Sequence, residues 1–217
     1  MNMKRKTIIA ALALCVASVC AYADETSDAL IAAAKSNNTA EVARLIADGA
    51  DVDAKTAGDM TALMYAAWYD AADAAKLLIQ AGANVNVTAY LGWTALMYAA
   101  KDRMVDVAKL LIDSGADVNA QDYDGEVVLV RAMRDNAVNV AKLFIESGAD
   151  LNAKDNIGKT ALMHAACNNA PVAAMVLIES GADVNARDKH GKTALMFAKE
   201  WGSTDVIEVL MVAGAKD

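Results

Sequence analysis

Apolar residues in this chain fall into short blocks that return at a fixed distance. Thr-Ala-Leu-Met stands at residues 61–64, 94–97, 160–163 and 193–196, and Val127-Val128-Leu129-Val130 takes the place between the second and third. Each block predicts the start of a helix. The Thr hydroxyl can cap the first turn, Leu and Met follow it, and two small residues come next, as in Leu63, Met64, Ala66 and Ala67. Small side chains let neighbouring helices approach closely. A second helix is predicted from runs such as Ala108, Leu110, Leu111 and Ile112, spaced to bury one face. Gly49, Gly82, Gly115, Gly148, Gly181 and Gly214, each followed by Ala, keep the same 33-residue phase without a gap. They stand where a left-handed residue closes the last turn of that second helix, a conformation that penalises any Cβ. After the first helix the corresponding positions are Asn37, Asp70, Arg103, Asn136, Asn169 and Gly202. Asn, Asp and Gly tolerate that region best, and Arg103 is the exception. Asp122, Asp155 and Asp188 open turns ending at Gly125, Gly158 and Gly191, which predicts a projecting hairpin between successive units.

Two anchors in phase over six units establish an internal repeat, and a 33-residue period of paired helices resembles the ankyrin repeat. The family's T-P-L-H-x-A-A start resembles Thr94-Ala95-Leu96-Met97-Tyr98-Ala99-Ala100. Its L-L-x-x-G-A-D-V-N-A end is similar to Leu110 through Ala120. The resemblance covers about residues 28–217 and implies an all-α ankyrin-repeat solenoid. That solenoid has six 33-residue units, starting near residues 28, 61, 94, 127, 160 and 193, each a helix pair with a projecting β-hairpin loop. Ala replaces the family's Pro and Met its His in every clear start motif, so the usual Thr–His hydrogen bond is expected to be missing. Neither helix can bury its apolar surface alone, so stability must come from stacked neighbours. Arg44 marks a solvated outer face on the first unit. Lys199 marks the other end, where Val209, Leu210 and Met211 leave the last helix less well covered. The fourth unit, with Val127 in place of the capping Thr and with Arg131 and Arg134, is expected to open first.

The first 23 residues read as a signal peptide: basic Lys4-Arg5-Lys6, apolar Ile8 to Cys20, and a small-x-small site at Ala21-Tyr22-Ala23. The apolar stretch is too short for a bilayer span of about 20 helical residues. Residues 24–217 then form the repeat domain, with no membrane span in the mature chain and a periplasmic or secreted location. Export leaves Cys167 alone, so no intrachain disulfide can form. Net charge is −8, from 20 basic and 28 acidic residues, and −11 without the first 23. That argues against a nucleic-acid partner, whose phosphates need a basic stripe, and favours a basic protein.

Chemistry is sparse. There is no Gly-rich phosphate loop, nucleophile elbow or paired-cysteine metal motif. No catalytic residue, metal or cofactor is expected, and the chain reads as a non-enzyme. The one alternative constellation is His164 with Cys167, one helical turn apart, and His190 in the following hairpin, as a metal or thiol site. Aromatic placement says more. Seven of the eight Trp and Tyr residues after residue 23 lie between 65 and 123. Among them Trp68, Tyr69, Tyr90, Trp93, Tyr98 and Tyr123 stand at variable positions of the repeat, where the family presents partner-contacting side chains. Trp and Tyr dominate interface hot spots. The resemblance to exported bacterial ankyrin-repeat proteins implies a module that holds another protein in its concave face, inhibiting or scaffolding an envelope protein. The alternative is a protein secreted to act on host proteins.

Overall fold

The computed structural model describes residues 25–100 and 104–216, and the chain divides into two compact bodies, residues 1–84 and 85–217. The expected signal peptide at residues 1–23 and Arg103 lie outside the described residues.

In the first body, helix α1 (25–35) precedes α2 (Thr39–Ala47), α3 (Ala62–Trp68) and α4 (Ala72–Gln80). Helix α4 packs against both α2 and α3. Leu30, Val42, Leu45, Leu63, Met64 and Leu78 form the core, and Ala66, Ala67, Ala74 and Ala75 are fully enclosed between helices. As expected of an outer face, Arg44 stays exposed on α2 and is held by Glu41 and Asp48 at 2.7 and 2.6 Å.

The second body carries α5 (Ala95–Tyr98), α6 (Val105–Asp113), α7 (Val128–Arg134), α8 (Val138–Glu146), α9 (Ala161–Cys167), α10 (Pro171–Glu179), α11 (Ala194–Trp201) and α12 (Thr204–Val212). Helices α5, α7, α9 and α11 stack in one row, and α6, α8, α10 and α12 in a second. Helices this short are marginal alone, so burial between rows has to supply their stability. Leu96, Leu111, Leu129, Met133, Phe144, Leu162, Met163 and Leu177 are fully buried there. The final helix is less well covered, as its composition implies. Met211 and Val212 are exposed, and Met175, Ile178, Val209 and Val212 line a shallow cleft between α10 and α12.

No strand forms among the described residues, and the only bridge joins Gln121 to Val127. The projecting loops are tight turns rather than extended hairpins. Each is closed by two backbone bonds, from the N–H of Asp122, Asp155 and Asp188 to the carbonyl of Glu126, Lys159 and Lys192 at 3.0–3.1 Å, and from the N–H of Gly125, Gly158 and Gly191 back to the Asp carbonyl at 2.9–3.1 Å. The carboxylate of the opening Asp explains why these segments turn. Asp155 Oδ1 accepts from the N–H groups of Ile157 and Lys159, and Asp122 and Asp188 repeat the pattern. Successive loops also bond to each other, Asn156 N–H to Asp124 and Lys189 N–H to Ile157. Gly158, with φ of +85°, permits this approach, since a Cβ there would sit 2.6 Å from the Lys189 nitrogen. The loop at Tyr90–Gly92 departs from the rule. Ala89 has no carboxylate to offer, and Leu91 takes φ +74°, ψ 5°, values that a type II turn normally gives to Gly.

A second ladder links the repeats through the Asn of the Ala-Asp-Val-Asn segment. Oδ1 of Asn86, Asn119 and Asn152 accepts the N–H of Asp117, Asp150 and Asp183 at 2.8–2.9 Å, one repeat further on. Left-handed residues stand where expected after the first helices: Asn37, Asp70, Asn136, Asn169 and Gly202 all have positive φ. The exchange of His for Met has a local consequence. In α3 the Thr61 N–H reaches Met64 Sδ at 3.4 Å while Thr61 Oγ1 accepts the Met64 N–H, so a weak sulfur acceptor completes a capping box.

Candidate binding surfaces

The six aromatic candidates fall into two different environments. In the first body, Tyr65 and Trp68 lie three residues apart on α3, which puts them on one face. Their rings stack with centroids 6.5 Å apart, and Tyr69 follows at 5.9 Å from Trp68. Lys35 Nζ lies 4.1 Å from the centre of the Tyr65 ring. Trp68 and Tyr69 stay 39% and 55% exposed, so this cluster keeps much of its area in water.

In the second body, Trp93 is enclosed rather than presented. The Tyr98 ring lies tilted 60° to it with centroids 5.1 Å apart, and the Arg131 guanidinium lies 3.5 Å over its face. Burial pulls the Arg131 pKa down, while the Glu126 carboxylate pushes it up. Trp93 and Tyr98 are both half-buried, and Arg131 covers the Trp93 ring. Tyr90 and Tyr123 are the outward-facing members here, each 70% exposed on a projecting loop beside Leu91.

The proposed grouping of His164, Cys167 and His190 does not assemble. The His164 ring turns toward the loop that precedes its own helix, with Nε2 2.9 Å from Asp155 Oδ2. Cys167, one turn later, points elsewhere, with Sγ 3.9 Å from Lys159 Nζ. Burial pushes the Cys167 thiol up, with Lys159 opposing, which disfavours the thiolate that a nucleophile or metal ligand needs. His190 stands exposed on its loop. The spacing alone would allow the two to meet; their partners separate them, since Asp155 holds the His164 ring and Lys159 lies beside the Cys167 sulfur.

What gathers around His164 is a different set. Glu126 and Asp155 each bring a carboxylate oxygen, and these atoms and a His164 ring nitrogen all lie within 4.8 Å of one another. Arg134 Nη1 grips both Glu126 oxygens at 2.6 and 2.7 Å. Asp124, Asn156 and Ile157 complete a cleft of about 290 Å³ over the cluster. The turn pattern in the sequence marks Asp155 only as the residue that opens a loop, and nothing in it singles out Glu126. Asp155 does hold a turn, but only through Oδ1. A signal was present in the register: the residue nine after the loop Asp is His164 in this repeat, Arg131 in the one before and Phe197 in the one after. Among the described residues, no helix is long and apolar enough to cross a membrane.

The family model for ankyrin repeats (three copies) matches residues 4–89, 30–122, 88–155 and 129–216. Comparison with curated proteins finds no match.

Proposed function

The chain belongs to the ankyrin-repeat family, and from that premise we propose that it is an exported module that binds a basic protein through its aromatic side chains, with no catalysis of its own. One observation carries the reading: Trp68, Tyr69, Tyr90 and Tyr123 keep 39–70% of their surface in water. Such side chains offer rigid area and a polar tip to a partner. Charge supports the same region. Residues 24–126 hold 17 acidic and 7 basic side chains, against 11 and 10 in residues 127–217, so the acidity and the aromatics coincide. Export rests on the basic, apolar and small-x-small order of residues 4–23. Holding or inhibiting an envelope protein is the role that suits such a module.

Purified protein cross-linked in envelope extract is the test. Trp68→Ala and Tyr123→Ala are each expected to lower recovery of the cross-linked partner by an amount matching about 2 kcal/mol, with an unchanged helical circular dichroism signal. Unchanged recovery in both variants would overturn the aromatic surface. A tagged copy recovered in the cytoplasm, rather than in the periplasm or medium, would overturn export.

A further inference from the structure

Three elements of the second body converge on one point. Glu126 ends one projecting loop, Asp155 opens the next, and His164 lies on α9 beneath them. All three side chains are largely buried, at 11%, 5% and 14% exposure. Asp155 is held rigidly because its Oδ1 takes the N–H groups of Ile157 and Lys159 at 3.0 and 2.8 Å, which leaves Oδ2 aimed at the His164 ring. Anchoring of this kind orients a metal ligand before any ion arrives.

We propose that Glu126, Asp155 and His164 form a binding site for a divalent transition ion of the zinc type, with water from the overlying cleft completing the coordination. One imidazole and two carboxylates are a donor set that zinc accepts. Their donor atoms lie within 4.8 Å of one another. Tetrahedral bonds of about 2.0–2.2 Å place ligands roughly 3.3–3.6 Å apart, so closure asks for side-chain rotation of about an ångström. An ion would take the His164 Nε2 lone pair and replace the direct contact with Asp155. The 290 Å³ cleft has room for water at the open position.

Arg134 is the competitor. Its guanidinium neutralises Glu126, and a metal ion must displace it. At 48% exposure its side chain can withdraw into water. Two substitutions therefore have opposite expected signs. Removing a ligand should weaken binding, and removing Arg134 should strengthen it, because a cation beside the site opposes a second one.

Calorimetric titration of the purified protein with Zn²⁺, and the visible absorption of Co²⁺ in the same site, test this. The expected result is one saturable equivalent. His164→Ala and Glu126→Gln should weaken it by at least about tenfold, Arg134→Gln should tighten it several-fold, and His190→Ala should leave it unchanged. Circular dichroism and urea midpoints of the variants separate lost binding from lost fold. Asp155 is left intact because it also holds the turn. No saturable Zn²⁺ binding, or His164→Ala binding as tightly as the parent, would overturn the site. Loss on His190→Ala would move the ion to the loop and overturn it equally. Unchanged affinity in both Glu126→Gln and Arg134→Gln would remove Glu126 and with it the three-ligand arrangement.

Discussion

Helices α7 and α9 occupy equivalent places in consecutive repeats, and they contradict the simple ranking of their start motifs. Residue 127 is Val where the pattern calls for Thr, and residue 160 is the expected Thr. Their backbones are nearly the same, with φ, ψ of −88°, 165° and −92°, 168°. Thr61, Thr94 and Thr193 accept the N–H three residues on at 3.3–3.4 Å. Thr160 does not, and its Oγ1 is buried without a hydrogen-bond partner. Val127 lacks a cap but leaves no polar atom stranded, whereas a buried unsatisfied hydroxyl costs about 1–3 kcal/mol. The motif that looks intact is thus the more frustrated one. The two arginines of α7 are also engaged, Arg131 over Trp93 and Arg134 on Glu126. The structure gives no support to the expectation that the fourth repeat opens first, and similar hydrogen-exchange protection in α7 and α9 is now the expected result.

The largest effect that would sharpen this comparison is at the ring beneath Arg131. Trp93→Ala should cost about 2–3 kcal/mol in urea unfolding, somewhat below the range for a fully buried Trp because the ring is half-buried. A loss under about 0.5 kcal/mol, with weakened partner capture, would return Trp93 to the set of presented aromatics.

Next come the caps themselves. Thr160→Val should raise stability by about 1 kcal/mol, because it replaces an orphaned hydroxyl with a methyl of similar volume. Thr94→Val should lower it by about the same amount, because there the hydroxyl does accept a bond. Equal losses in both variants would show that Thr160 is satisfied after all and would remove the contrast between α7 and α9.

The smallest effect is electrostatic and sits in the loop before α7. Asp122 has its pKa raised in the folded state, chiefly by burial, so its charged form opposes folding at neutral pH. Asp122→Asn keeps the Oδ1 that accepts the N–H groups of Asp124 and Glu126. The variant should be more stable at pH 7 by a small margin. That gain should shrink as pH falls through the folded-state pKa and vanish once the parent carboxyl is protonated in both states. A gain that grows in acid would reverse the assignment.

The repeat, its helix pairs and its turning points were legible along the chain because they depend on short-range rules. A Gly at a left-handed position, an Asp that binds the N–H groups two and four residues on, and small residues between packed helices all act within a few residues of themselves. Asn136 and Asn169 have positive φ, and Leu63 and Leu162 are buried, for reasons contained in their own segments. The candidate sites were only partly legible. Trp68 and Trp93 are the same residue type at variable positions, yet one is exposed and the other lies between Tyr98 and Arg131. For Trp93 that outcome depends on Arg131, which the next repeat places over the ring. The same holds for His164, whose neighbour on its own helix, Cys167, turns away, and whose partners Asp155 and Glu126 arrive from two loops. The periodic sequence by itself determined the backbone scaffold, because every repeat obeys the same local code. Only the stacking of repeats decided which variable side chains meet, because the deciding contacts, Arg131 over Trp93 and Glu126 beside His164, join different repeats, where one-dimensional spacing carries no angle or depth.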